Sequence, residues 1–409
     1  MRISTLSIYG NATSQLNTLQ SALARTQNQL STNRRILSPA DDPVASARAL
    51  EVSQSKEMNA QYATNRASAR SSLASVEGEL QNAGDLLQDI QQLAVNAGNG
   101  SMLPQDRAVL ATELEGRLAD LLGVANSTDG AGGYLFSGYM ATTQPFTTVP
   151  GGAAYQGDQG QRQLQVGASR KIPLSASGAA VFENNPTGNG TFQTQAGASN
   201  KGAAVISSGA VTDRVQAGAG RDYKLTFSVS GTPAVTTYSV VDTTTGTDVP
   251  VAGQTGVAYE PGKSITFGGL SFDIKGEPAN ADVFTAKPSE KQSVFTTVTD
   301  LIAALRAPTD GSTGKAALTN RLNTAMDNLK SAHDNVLTVQ ASVGAHMKEL
   351  DYLDSAGDDL DIQYAATLGD LQDLDMVKAI SDFSMQQTTL QAAQMSFKTM
   401  SGLSLFNYL

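Results

Sequence analysis

The sequence predicts a mainly α protein with a β insert. The expected architecture is an elongated antiparallel helical bundle, with coiled-coil termini and a helical core bearing β-hairpins, plus a separate all-β outer domain. Three observations predict it. Apolar residues recur in steps of three and four near both chain ends, which places them on one stripe of an α-helix. Longer stripes of the same kind flank the middle of the chain. Between about Lys201 and Pro288 the period falls to two, and Gly and Pro punctuate short runs rich in Val, Thr and aromatics.

The C-terminal stripe is the most regular. Met376, Phe383, Leu390 and Phe397 recur every seven residues, and Ala379, Gln386, Ala393 and Met400 fill the alternate slots. Continued strictly, this is a coiled-coil seam. It stops at Gly402. The first thirty residues carry a matching stripe of Tyr9, Ala12, Leu16, Leu19, Leu23, Thr26 and Leu30. A narrow apolar seam on an otherwise polar helix suits a partner better than a monomer. The two termini are therefore expected to pair with each other and then with copies of themselves.

Composition narrows the function classes. The 409 residues have room for two or three domains. A net charge of -10 and 6% aromatic content argue against nucleic acid, which requires a basic face. With no cysteine there is neither a disulfide scaffold nor a thiolate metal site. No run approaches 18 apolar residues, so membrane insertion is not expected. The opening MRISTLSIYGNATSQL has no continuous apolar stretch, so a cleavable secretory signal is not expected and export would take another route.

The elements follow in order. A first helix is expected from Ile8 to Leu30. It breaks at Ser38-Pro39-Ala40-Asp41-Asp42-Pro43, where Asp42 is a candidate N-cap and Pro43 a first helical residue. A long helix from Val44 to Ala97 carries the seam Tyr62, Ala69, Leu73, Val76, Leu80, Ala83, Leu87, Ile90, Ala94. Gly98-Asn99-Gly100 ends it. Pro104 opens a third helix to Ala125, with Leu103 a poor residue for its cap slot. Short strands are then expected at Tyr134–Tyr139, around Gln144–Phe146, and at Ala153–Asp158, Arg162–Val166 and Ile172–Ser175. Thr187 to Gly209 is Gly-rich and reads as a linker. Regular strands after it, at Tyr223–Val229, Thr237–Val241, Ser264–Phe267 and Leu270–Ile274, suggest a sandwich or barrel. Because Gly-rich and Pro-bounded segments flank it, the insert is expected to be dispensable, with Asn185 joined to Ser289. Helix returns at Val294–Leu305. After a Pro308–Gly314 loop comes the longest seam, from Leu318 through Leu329, Val336, Val343 and Leu350 to Tyr364. It is expected to pack on the second and third helices.

No catalytic, cofactor or metal residues are assigned. His333 and His346 have no second His at helical spacing, and their structural reading is preferred. HExxH, Walker and GxSxG patterns are missing. The run Asp351, Asp354, Asp358, Asp359, Asp361 does not follow EF-hand spacing and reads as a solvated face or a salt-bridge partner.

Four motifs resemble the flagellin family. Leu30 to Pro43 (LSTNRRILSPADDP) resembles its corner between terminal and core helices, and Asn126 to Tyr139 (NSTDGAGGYLFSGY) its helix-to-hairpin turn. Asn335 to Ala345 (NVLTVQASVGA) is similar to its returning core helix. The ending, MQQTTLQAA from Met385 through SGLSLF to Phe406, is similar to that of the family's hook–filament junction members. The resemblance implies an axial structural protein, not an enzyme. Its implied place is between the first hook-associated protein and flagellin, with a flagellin filament subunit as the alternative. It also implies unfolded export through the flagellar type III apparatus, a cytoplasmic flagellar export chaperone on the C-terminal helix, and an extracellular location on the bacterial flagellum. The expected division is 1-45 plus 365-409 as a terminal assembly domain, 46-186 plus 289-364 as a helical core, and 187-288 as a variable β-sandwich-like outer domain. Candidate assembly residues are Leu16, Leu19, Leu23, Leu30, Ile380, Phe383, Leu390, Phe397, Met400, Leu403 and Phe406. Asp41, Asp42 and Pro43 form the candidate structural corner.

Overall fold

The computed structural model describes residues 5–130 and 132–402. Its α-helices are α1 (Thr5–Thr32), α2 (Pro43–Ala97), α3 (Pro104–Ala125), a single turn α4 (Arg214–Ala217), α5 (Val294–Arg306), α6 (Gly311–Gln372) and α7 (Met376–Gly402), and a π-helical turn spans Ala179–Glu183. Helices thus sit toward both ends of the sequence, with β structure between them. The chain divides into two compact units, residues 1–65 with 351–409, and residues 66–350. Helices α2 and α6 contribute to both.

In the larger unit the periodic seams become the helical core. Ala69, Leu73, Val76, Leu80, Ala83, Leu87, Ile90 and Ala94 of α2 are buried, as are Leu322, Leu329, Val336, Val343 and Leu350 of α6. Polar side chains cross between these helices: Gln340 Nε2 donates to Gln81 Oε1 at 3.2 Å, and Gln88 Nε2 lies 3.2 Å from His333 Nε2. His333 is therefore part of a helix–helix contact. Helix α3 packs on α5, and Arg306 of α5 pairs with Glu115 at 2.8 Å. The weak cap at Leu103 is compensated from the next turn, where Asp106 accepts the Leu103 N–H at 3.2 Å.

Two hairpins follow α3, β1 (Phe146–Val149) with β2 (Gly152–Tyr155) and β3 (Gln163–Gly167) with β4 (Arg170–Pro173). The strand expected at Tyr134–Tyr139 does not form; only an isolated bridge joins Tyr134 to Thr128. Gly138 adopts φ 73 and turns the chain, and the Asp158 carboxylate takes the Tyr139 N–H at 3.1 Å. The segment is instead a core plug. Phe136, Phe146, Phe182 and Phe295 are fully buried, and their rings meet at 5.0–5.8 Å.

The β region begins at β5 (Asn185–Pro186), which pairs with β16 (Lys291–Gln292) as a neck. Between them run β6 (Phe192–Ala196), β7 (Val205–Ile206), β8 (Ala210–Val211), β9 (Tyr223–Ser230), β10 (Val235–Asp242), β11 (Val249–Pro250), β12 (Val257–Ala258), β13 (Ser264–Phe267), β14 (Leu270–Lys275) and β15 (Val283–Pro288). One sheet has the order β11-β10-β9-β15-β6, with β12 also on β10; the other has β13-β14-β7, with β8 also on β14. Alternate residues enter one apolar cluster, among them Leu225, Phe227, Val240 and Phe284 from the first sheet and Ile265, Phe272 and Ile274 from the second. Period-two patterning on both sheets accounts for this packing.

The segment Thr187–Gly209 is not a linker. It contains β6 and β7, and it is fastened to α6 by buried asparagines. Asn320 accepts the Ile206 N–H at 3.0 Å and donates to Ala204 O at 3.0 Å. Asn328 accepts the Gly188 N–H at 2.8 Å. The glycines that suggested flexibility serve tight approaches: a Cβ on Gly202 would come within 2.4 Å of Ala279 N.

Candidate assembly surface

The smaller unit is built from chain segments far apart in sequence. Asn59 of α2 donates to Gly357 O of α6 at 2.8 Å, and Lys56 pairs with Asp361 at 3.8 Å. One carboxylate of the acidic run is therefore an ion-pair partner. Among the described residues, no group of three or more His, Asp or Glu could hold a metal ion.

Helices α1 and α7 pack along each other. The rings of Tyr9 and Phe397 meet edge to face with centroids 5.9 Å apart. Thr26 Oγ1 donates to Gln386 Oε1 at 2.9 Å, and Thr26 is buried. Gln386 thus fills a seam slot with a hydrogen bond. Leu16, Leu19, Leu23 and Leu30 are half-buried, as are Phe383, Leu390 and Phe397, while Ala379 is buried. Ile380 and Met400 are exposed. Leu403 and Phe406 lie outside the described residues. The structure therefore brings most of the two stripes together within one chain and leaves Ile380 and Met400 on the surface.

Sequence reasoning passed over other exposed apolar residues of α7. Val377, Met385 and Met395 are each more than 60% exposed. The only charged residues of α7 are Lys378, Asp382 and Lys398. The signal for this surface was the scarcity of charge, which a search for one apolar stripe ignores.

A corner joins the helix pair to α2 and α6. Helix α1 ends with Asn33 in the left-handed region at φ 54. Arg35 then clamps the far end of α6, with its N–H on Gln372 O at 2.7 Å and its Nη2 on Leu371 O at 2.7 Å. Asp42 Oδ1 accepts the Ala45 N–H at 3.0 Å, capping the helix that Pro43 begins. Its other oxygen meets Arg35 at 3.3 Å. Asp41 accepts the N–H groups of Leu37 and Ser38, both at 2.9 Å, and pairs with Arg25 at 2.6 Å. These bonds hold both carboxyls below the usual range. For Asp41 the main cause is the Ser38 N–H, then Leu37; for Asp42 it is the Ala45 N–H, with Arg35 adding to it.

Residues 3–141 match the family described as the bacterial flagellin N-terminal helical region. The flagellar hook-associated protein 3 of Salmonella typhimurium is 29% identical over 99% of both chains. The flagellin of Salmonella budapest is 26% identical over 70% of this chain and 59% of its own. The crystal structure of the flagellar junction protein FlgL from Legionella pneumophila is 32% identical, covering 80% of this chain and 100% of that one, with a TM-score of 0.71. A full-length match, a shared fold and a shorter match to flagellin agree: the chain belongs to the flagellar hook-associated protein 3 (FlgL) family.

Proposed function

We propose that this chain is a structural axial protein of the bacterial flagellum that joins the hook to the flagellin filament. The observation that carries this reading is the helix pair α1 and α7 in a chain of the junction-protein family. Most of its seam is used internally, yet α7 still exposes Val377, Ile380, Met385, Met395 and Met400. Exposed apolar area on a helix with three charged residues favours burial against another surface. Copies of the same chain supply one such surface, the first hook-associated protein another, and flagellin a third. In this reading residues 1-45 plus 365-409 assemble, the helical core spaces the assembly, and 187-288 faces outward. Leu16, Leu19, Leu23, Leu30, Phe383, Leu390 and Phe397 hold the pair, Ile380 and Met400 meet neighbours, and Asp41, Asp42 and Pro43 fix the corner. The protein reaches the flagellum unfolded through the type III apparatus, with a cytoplasmic chaperone on its C-terminal helix, and performs no catalysis.

The test is complementation of a strain lacking this protein with Ile380→Asp and Met400→Asp together. Expected are normal amounts of the protein in the medium, bare hooks, and flagellin shed into the culture fluid. Normal filaments would overturn the reading. A filament subunit would instead be recovered in amounts comparable to the bulk of the filament.

A further inference from the structure

A cleft of about 350 Å3 lies in the larger unit between β6, the following turn, and helices α5 and α6. Its wall is a continuous ladder of side-chain hydrogen bonds. Gln195 Nε2 donates to Gln193 Oε1 at 2.8 Å. Gln193 Nε2 donates to Asn328 Oδ1 at 3.1 Å. Asn328 Nδ2 donates to Gln292 Oε1 at 3.3 Å, and Gln292 Nε2 reaches Asp300 Oδ2 at 3.5 Å. Every bond runs in one direction, so the amides polarise one another toward the carboxylate. Asn328 anchors the ladder at only 5% exposure.

The chain on either side of β6 is already fastened to α6 through backbone, at Gly188 by Asn328 and at Ala204 and Ile206 by Asn320, so the ladder is not the sole tie between the β region and α6. A primary amide has two N–H donors and two acceptor lone pairs. Each ladder amide spends one donor on its neighbour, so a second N–H remains on each glutamine. Gln195 Oε1 and Asp300 Oδ1 carry no protein bond among the described residues. Asp300 is exposed at the cleft, where partial desolvation by its neighbours raises its pKa and the Gln292 bond lowers it, so a further donor would stabilise the carboxylate. The methyl groups of Ala303, Ala316 and Ala317 supply an apolar strip. Arg321 lines the same cleft without an ion pair among the described residues.

We propose that this cleft is a binding site for a mono- or disaccharide. Sugar hydroxyls both donate and accept, and adjacent hydroxyls match planar amides and a carboxylate in a row. The C–H face of a sugar ring fits the alanine strip. The volume falls at the lower end of ligand pockets, roughly 300–1,000 Å3. A phosphorylated ligand fits less well, because the one lining cation is offset by Asp300 and the chain is acidic overall. With no aromatic ring in the lining, binding rests on hydrogen bonds and is weak and selective. The cleft needs both the β region and α5–α6, so the isolated β region holds only half of it.

The experiment uses the full chain, titrated with glucose, galactose, N-acetylglucosamine, lactose and chitobiose under saturation-transfer NMR. Side-chain amide shifts report the place. At least one sugar is expected to bind at millimolar concentration and to move the amide signals of Gln193, Gln195 and Gln292. Asp300→Ala should weaken it about tenfold, the loss of one charge-assisted hydrogen bond. Gln195→Ala, a surface change that leaves folding intact, should weaken it roughly three- to tenfold. Glu260→Gln, exposed and outside the cleft, should change nothing. No binding by any of the five sugars would overturn the proposal. So would binding that Asp300→Ala and Gln195→Ala leave intact, or shifts confined to other residues.

Discussion

Tyr9 and Phe397 meet edge to face, their ring planes at 88°, although they lie near opposite ends of the chain. The contact joins α1 to α7 within a single molecule. An edge-to-face pair contributes about 0.5–1.5 kcal/mol beyond its buried area. Tyr9 is 36% exposed, which places this pair at the lower end. A double-mutant cycle with Tyr9→Leu and Phe397→Leu should therefore give a coupling of about 0.5 kcal/mol. Amide exchange in α1 and α7 measures it, and strictly additive effects would mean the rings do not touch in solution.

The seams predict unequal costs along α2 and α6. Leu80 is fully buried, whereas Leu360, on the same kind of stripe, is 41% exposed. Leu80→Ala should cost about 2–5 kcal/mol through lost burial and a residual cavity. Leu360→Ala should stay within about 0.5 kcal/mol, as surface changes do. Urea denaturation followed by helix signal compares them; equal losses would contradict the burial difference.

Acid should loosen the corner. The folded pKa values of Asp41 and Asp42 lie below their ordinary value of 3.8. Groups lowered in this way stabilise fully above their unfolded pKa, and the contribution disappears as pH falls through the folded value. Between neutral pH and about 4 the corner should hold, and below 3.8 it should loosen. Amide exchange at Leu37, Ser38 and Ala45 follows it directly. Asp41→Asn with Asp42→Asn should remove the acid step at those amides, and a step that persists would assign it elsewhere.

The helices were legible because two periods dominate them. Seven-residue recurrence placed α7 from Met376 to Gly402, and the Asp42-Pro43 pair marked the start of α2. Tyr134–Tyr139 misled because a run of Tyr, Leu and Phe has strand composition, while Gly138 and the distant Asp158 decide the backbone. Thr187–Gly209 misled for the opposite reason. Its glycines serve close packing, and the groups that fix it, Asn320 and Asn328, stand more than a hundred residues later on a helix whose stripe was read for apolar residues alone. The α1–α7 pairing was implied by matching stripes. The exposed Val377, Met385 and Met395 were not, since nothing in one stripe reports what the rest of a helix lacks.

Those asparagines lead to a test in which one substitution changes sign. In the intact chain Asn320 satisfies Ile206 N–H and Ala204 C=O at a buried site. Asn320→Ala would leave both without partners, at about 1–3 kcal/mol for each buried group. The neck offers a way to remove those groups altogether. Thr187 N–H bonds Glu290 O at 2.8 Å, and Ser289 Oγ donates to Thr187 O at 2.7 Å, so the two ends of the β region lie side by side. Joining Asn185 to Ser289 through a short linker should therefore close without moving the helices. It should still expose the α6 face around Ala316, Asn320 and Ala325, which the intact chain buries. Amide exchange over 311–328 should rise in that deletion. In the deletion background Asn320→Ala no longer strands any backbone group, and alanine is the better helix former by up to about 0.7 kcal/mol. The same change should then be neutral or slightly stabilising. Thermal melting of the four proteins (intact and deleted, each with Asn320 or Ala) decides it. A loss in both backgrounds would mean that Asn320 supports α6 itself, and no loss in the intact chain would mean that the β region is held without it.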